Sequence, residues 1–454
     1  MFNRTLCSGA LLAIACVRPA AVAGQAHKMD MPMPDSSRMG MMMTGPLGVP
    51  MDRMGSGTTW IPDAVPLPSR HAMLGAWDLM IHGFAFAQYD RQGAGASNVR
   101  DGEQWGSLSW AMLMASRDVA GGMLQLRTML SLDALGVTNR GYPLLLQSGE
   151  TFNGAPLHDR QHPHEFWMEL AALYQKAVSS DLALSLYVAP SGEPALGPVA
   201  FMHRPSGMDI PFAPIGHHWQ DATHTSFGVV TAGLFTKRWK AEGSIFNGRD
   251  PDGNRWDFDF HPLDSYSGQL TFSPDSSWSF GAGYGFLRSP EPADPGHSMH
   301  RTVVSVQHGR RVGSDGQWAT TLMWSAMAHS DQVGLSASAL AESELVIDAK
   351  NSVFARAEFV QKTADDLALA GGMGGFAPDR SFDVGNVTVG YVRELRAWSS
   401  VTLGLGAAAT LNFLPSSLEP FYGSRTPPGG MVFLRLRPSR QRAAMPMPMP
   451  MPGQ

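Results

Sequence analysis

The sequence predicts an all-β protein, a transmembrane antiparallel β-barrel of about sixteen strands with long outer loops and short periplasmic turns. Three observations carry that prediction. Apolar and polar or small residues alternate with a period of two through most of the chain, connector lengths alternate between long and short, and no segment is apolar for long enough to form a spanning helix.

Composition narrows the alternatives. The 454 residues hold 34 Lys+Arg against 39 Asp+Glu, a net charge of −5 with only 16% charged positions, which leaves no electrostatic footprint for nucleic acid. Glycine (49) and methionine (28) are both abundant for a chain of this length. The two cysteines, Cys7 and Cys16, lie near the start. If that segment is removed, disulfides, thiolate zinc sites, blue-copper centres and cysteine nucleophiles are excluded.

Residues 1–23 are expected to be a signal peptide. Arg4 supplies a positive start, Leu6 to Val17 form a mostly apolar stretch of 12 residues, and Ala21-Val22-Ala23 is a small-x-small cleavage pattern before Gly24. Ala13-Ile14-Ala15-Cys16 is an imperfect lipoprotein site and stands as the alternative. Residues 24–70 are expected to be a disordered Met/Pro-rich periplasmic leader, and residues 439–454 a disordered Met-Pro tail. Nine methionines fall between His27 and Met54, among them Met29, Met31, Met33, Met39, Met41, Met42 and Met43, and the far end carries Met445, Met447, Met449 and Met451, each followed by proline. Proline at every second position blocks helix and ladder hydrogen bonds, so these thioethers are not explained by packing. Thioether sulfur is a soft, uncharged ligand that suits Cu(I), against the alternative of compositional drift in a disordered tail.

The barrel is expected over 71–438. In Val401 to Phe413 the odd positions are apolar and the even ones small or polar; Phe280, Ala282, Tyr284 and Phe286 alternate with glycines; Val353, Ala355, Ala357 and Phe359 alternate with a row containing Arg356, Glu358 and Lys362. The last pattern suits lipid outside and water inside, although a soluble sandwich would also alternate. Connector lengths decide between them. Long connectors near 90–102, 133–165, 191–225, 250–264, 289–299, 330–337, 363–381 and 415–428 alternate with short ones at 117–120, 178–181, 237–238, 274–277, 312–316, 349–350 and 396–397. An even strand count with both ends on the tight-turn side is the form of an outer-membrane barrel, whose partner is outer-membrane lipid.

Nine of the fifteen histidines fall in the long connectors, and none in a short one. His158, His162 and His164 stand in the second long loop, next to Asp159, Arg160 and Glu165, and His203, His217, His218 and His224 in the third, with Asp221. Imidazole with carboxylate nearby suits Cu(II), Zn, Ni or Fe; the alternative is a polar plug in which these groups satisfy one another. Pro163 argues against a helix in the second loop. The Pro/Gly density of the third loop implies an ordered irregular segment, with Phe201, Phe212, Ile215 and Trp219 packing on the barrel interior. Ser148, Ser206 or Ser226 could be paired with a loop His on paper, but no GxSxG elbow and no phosphate loop occur, so no enzyme activity is expected.

The export signal, the leader from Met29 to Met54 and the later barrel resemble the general plan of the bacterial copper-resistance outer-membrane proteins of the B type. The segments His158 to Glu165 and Gly216 to His224 resemble instead an uncharacterised group of exported barrel proteins. Two features depart from the plan: the last strand, Met431 to Arg437, does not end the chain on an aromatic residue, and a Pro-Met tail follows. The resemblance implies copper as the bound metal, with periplasmic copper proteins as partners. The expectation is a barrel that binds, exports or confers tolerance to copper or another soft metal, the alternative being a porin-like diffusion channel for small solutes with a His/Asp/Arg constriction.

Overall fold

The computed structural model describes residues 44–440, apart from 94, 96–98, 154, 292–294, 331–333 and 372–373. Sixteen antiparallel strands close into a barrel. In chain order they are β1 (Trp77–Gln92), β2 (Gly102–Val119), β3 (Gly122–Ser131), β4 (Trp167–Ala177), β5 (Ala183–Gly192), β6 (Ser226–Phe235), β7 (Trp239–Phe246) and β8 (Ser265–Phe272), then β9 (Trp278–Leu287), β10 (Met299–Val312), β11 (Gly316–His329), β12 (Ser336–Val346), β13 (Asn351–Thr363), β14 (Ser381–Ala397), β15 (Val401–Phe413) and β16 (Pro428–Pro438). Each strand pairs with its neighbour in sequence, and β16 closes on β1 in the register Ala85↔Leu436 to Gln92↔Gly429. A short strand, Ser69–Leu74, pairs with the other half of β1. Closure removes the unpaired edges that an open sheet would expose to hydrocarbon.

The wall has the polarity expected from the alternation. In β13, Val353, Ala355, Ala357 and Phe359 face outward while Arg356, Glu358 and Lys362 are buried inside. The odd positions of β15 from Leu405 to Phe413 are exposed and the even ones buried. Greasy rows that meet no other protein surface fit a bilayer and not a sandwich interior. Trp239, Trp278, Trp318 and Trp398 are exposed and lie at or beside short turns, where an aromatic ring sits at the membrane–water boundary. No helix among the described residues is long and apolar enough to cross a membrane, so the strands do the crossing.

The leader expected to be solvated over 24–70 needs correction in its described part. From Val49 to Leu67 the chain is largely buried, inside the short-turn end of the lumen. Arg53 donates to Asp63 Oδ1 at 2.9 Å and to the carbonyl of Lys237, in the β6–β7 turn, at 2.9 Å. Trp60 packs edge-on against Phe235, with ring centroids 5.9 Å apart, and its carbonyl accepts from Ser279 Oγ at 3.0 Å. Arg127 on β3 donates to the carbonyl of Gly55 at 3.1 Å and to that of Gly57. The physical reason is that inward-facing charged groups on the wall supply the hydrogen-bond partners that a proline- and glycine-rich strand of backbone cannot supply for itself. The signal peptide over 1–23, the leader methionines Met29, Met31, Met33, Met39, Met41, Met42 and Met43, and the tail methionines Met445, Met447, Met449 and Met451 lie outside the described residues.

Candidate functional site in the lumen

The connector from β5 to β6, residues 193–225, runs through the barrel interior. Every residue from Ser191 to Asp221 is buried. Prolines 194, 198, 205, 211 and 214 keep it from forming a long helix or strand, so its backbone polar groups must find partners on the wall. They do so all round the lumen. Ala195 N donates to Ser244 Oγ on β7 at 2.8 Å, Asp209 N to Glu344 on β12 at 3.2 Å, and Gly216 N to Glu358 on β13 at 3.3 Å. Arg356 Nη1 donates to the Phe212 carbonyl at 2.9 Å.

Its centre is a fully buried charge cluster. Arg204 Nε donates to Glu342 Oε1 at 2.6 Å and its Nη1 to Asp221 Oδ2 at 2.6 Å. The second Glu342 oxygen accepts from Arg356 Nε at 3.0 Å, and Ser206 Oγ donates to Oε1 at 2.9 Å. All four charged side chains are inaccessible. A second tie joins Asp209 to Arg435 on β16. These pairs fasten the loop to β12, β13 and β16 at once.

The histidines gather in the same interior. His164 Nδ1 lies 2.6 Å from Asp133 Oδ2, His217 Nδ1 2.6 Å from Asp221 Oδ1, and His224 Nδ1 3.0 Å from the Asp221 carbonyl. His162 Nδ1 is 2.8 Å from the Pro163 carbonyl. Ring centroids are 5.4 Å apart for His164 and His224, 5.0 Å for His217 and His224, and 5.4 Å for His217 and His218. Five of the loop histidines named from sequence are thus brought together, with second-loop and third-loop members interleaved. His203 is stacked on Trp110 at 4.1 Å. His158 sits at the rim, a third exposed, 3.0 Å from Asp159. Among the described residues, the one set of three imidazole, thiol or carboxylate donors lying within 4.8 Å of one another is Asp252, Asp257 and Asp259 in the β7–β8 loop. The gathered imidazoles are oriented by carboxylates and carbonyls.

The serines considered for a triad are engaged elsewhere. Ser148 Oγ accepts from Lys362 at 2.7 Å, Ser206 bonds Glu342 and Thr321, and Ser226 donates to the Thr223 carbonyl at 3.3 Å.

At the outer rim, Arg100 ties four loops together. It donates to Asp159 Oδ2 at 3.1 Å, to the carbonyls of Leu367 and Ala368 at 2.7 and 3.2 Å, and to Tyr422 Oη at 3.3 Å. Burial pushes the Asp159 carboxyl up, but the His158 hydrogen bond, the Arg100 charge and the Leu146 amide outweigh it and hold the group below its ordinary value of 3.8. A depressed carboxylate stabilises the folded rim above that value and loses its contribution as pH falls through the lower folded one. The protection factors for hydrogen exchange of 414–427, which remove the intrinsic pH dependence of exchange, are accordingly expected to be the same at pH 7 and pH 5 and to fall only below about 3.8; Asp159→Asn should remove that acid step.

Sequence reasoning missed Arg53, Ser56 and Trp60 of the leader and their partners, Arg127 and Lys240 on the wall and Glu193 at the start of the β5–β6 loop. Ser56 Oγ donates to Glu193 Oε2 at 2.5 Å, and Lys240, 2.9 Å from Glu242, donates to the Thr58 carbonyl. Trp60-Ile61 is the available signal, an apolar pair at the end of a segment otherwise short of large side chains.

A closed sixteen-strand cylinder with a lipid-facing apolar wall, a charged interior, tight turns at one end and long loops at the other defines a bacterial outer-membrane β-barrel of porin-like architecture. No family model matches the chain, and no curated protein matches it. Solved barrels similar to it include OmpT of Vibrio cholerae, at 9% identity and a TM-score of 0.46 over 81% of this chain and 99% of that one. Others are the anion-selective porin of Comamonas acidovorans, at 10% and 0.46 over 80% and 99%, and Salmonella typhi OmpF in complex with daunomycin, at 10% and 0.48 over 81% and 100%.

Proposed function

We propose that the protein is a channel for small polar solutes held closed by its own β5–β6 loop. A sixteen-strand barrel is wide enough for an aqueous passage, and its inner wall here is lined with charge. The observation that supports the reading is the unbroken burial of Ser191 to Asp221 across that passage, with Arg204, Asp221 and the imidazoles of His217 and His224 at the constriction. The fold scaffolds no catalytic constellation in this reading; the polar groups select and hold. The test is solute flux through reconstituted protein, which should be slow in the intact chain and fast once the loop is shortened.

A second reading, a role in copper or other soft-metal binding, export or tolerance, is favoured by the atoms His164 Nε2 and His203 Nε2, which are buried without a hydrogen-bond partner. In it the tail methionines take Cu(I) in the periplasm and pass it to or from periplasmic copper proteins. Metal content of full-length protein against protein lacking 27–43 and 445–454 tests the tails.

A further inference from the structure

We infer that the inner wall carries a soft-metal site of His82, Met112 and Met129, completed by His203 of the β5–β6 loop and suited to Cu(I). It extends the soft-metal reading to residues that the tails and the gathered histidines do not include.

Register places the first three together. His82 on β1 pairs directly with Met112 on β2, and Met112 pairs directly with Met129 on β3. Directly paired residues have Cβ atoms about 5 Å apart, and all three alternate inward on their strands. They therefore form one transverse row on the inner wall, each buried, Met112 completely. Met side chains turn about three bonds and carry a polarisable sulfur, so adjacent ones can close on a shared point.

One imidazole of this row, His82, and one brought to it by the loop, His203, have nitrogens with capacity to spare. Both His82 nitrogens are buried without a hydrogen-bond partner, as is Nε2 of His203. Buried polar atoms left in this way are rare and costly, and an ion is one of the things that accounts for them. The His82 and His203 rings lie 5.6 Å apart at 89°. With metal–nitrogen bonds of about 2 Å, two imidazoles on one ion have centroids roughly 5–6 Å apart. Trp110 fixes both rings, with centroids 5.3 Å from His82 and 4.1 Å from His203.

The donor chemistry selects the ion. Two neutral thioethers and two imidazoles provide no charge and no hard oxygen, which disfavours Ca²⁺, Mg²⁺ and Mn²⁺ and suits Cu(I). Core packing alone explains methionines on a barrel wall, but not a histidine with both nitrogens unmatched two strands away from Met129.

The experiment is anaerobic Cu(I) titration of detergent-solubilised protein lacking 27–43 and 445–454, in competition with bicinchoninate. Retention of about one Cu(I) per chain is expected, with Met112→Leu/Met129→Leu and His82→Ala each weakening it about tenfold or more. The Leu pair conserves volume, and heat-modifiable migration on gels confirms that each variant is folded. Absence of stoichiometric Cu(I) in the tail-less protein, or retention unchanged in both folded variants, would overturn the site. Cu(I) held by the full-length protein alone would do so too while leaving the tails as ligands, and none of these results bears on solute flux.

Discussion

Replacing residues 197–218 with a short Gly/Ser linker is expected to turn a nearly silent protein into an open one, with conductance in planar bilayers rising about tenfold or more, because a sixteen-strand barrel without its plug leaves an aqueous passage. The size of the effect follows from what the segment occupies. It touches the wall on β12, β13 and β16 through Arg204, Gly216 and Asp209, so its removal clears the lumen from side to side. The wall itself is closed by strand pairing, which the replacement leaves untouched, and gel migration should still show a folded barrel. Conductance equal to that of the intact protein would mean that closure lies elsewhere, at the leader or the rim.

The second large effect concerns Glu342. Its carboxylate accepts from Arg204, Arg356 and Ser206, and its removal takes away the ion-pair partner of the inaccessible Arg356 and leaves Arg204 paired with Asp221. Breaking a buried pair by deleting one partner costs about 3–5 kcal/mol. Glu342→Ala should therefore lower the unfolding midpoint and raise conductance together, since the loop loses its main anchor to β12 and β13. Glu342→Gln keeps the shape and one acceptor oxygen and is expected to fall between Ala and the parent. If Glu342→Ala lowers stability but leaves conductance at the parent's level, the charge cluster supports the wall without holding the plug.

The parts of this architecture that are local in sequence were legible there. Alternation in Val353–Lys362 and Val401–Phe413 reports which side of one strand faces lipid, and it needs no knowledge of partners; connector lengths then order the strands and separate the two rims. The proline-rich β5–β6 loop announced itself in the same way, by being too long and too rich in Phe201, Phe212, Ile215 and Trp219 to be left in water. What was not legible depends on long-range register. Residues 44–65 look like a continuation of a solvated leader until Arg127 and Lys240 on the inner wall and Glu193 of the β5–β6 loop, far along the chain, are placed to receive them. The row His82, Met112 and Met129 is likewise invisible until β1, β2 and β3 are aligned, since each residue alone is an ordinary inward position. The histidine loops lie between these cases: their enrichment was visible, while the pairing of His164 with Asp133 and of His217 with Asp221 comes from the fold.

The most direct measurement of the occluded lumen uses the chain's lack of cysteine beyond Cys16. Ala213, buried in the β5–β6 loop, and Leu135, exposed in the β3–β4 loop, are changed singly to cysteine and treated on intact cells with a membrane-impermeant maleimide. Leu135→Cys is expected to label rapidly and Ala213→Cys to stay protected until the cells are denatured. Labelling of Ala213→Cys as fast as Leu135→Cys would contradict a loop folded into the barrel and, with it, the closed channel.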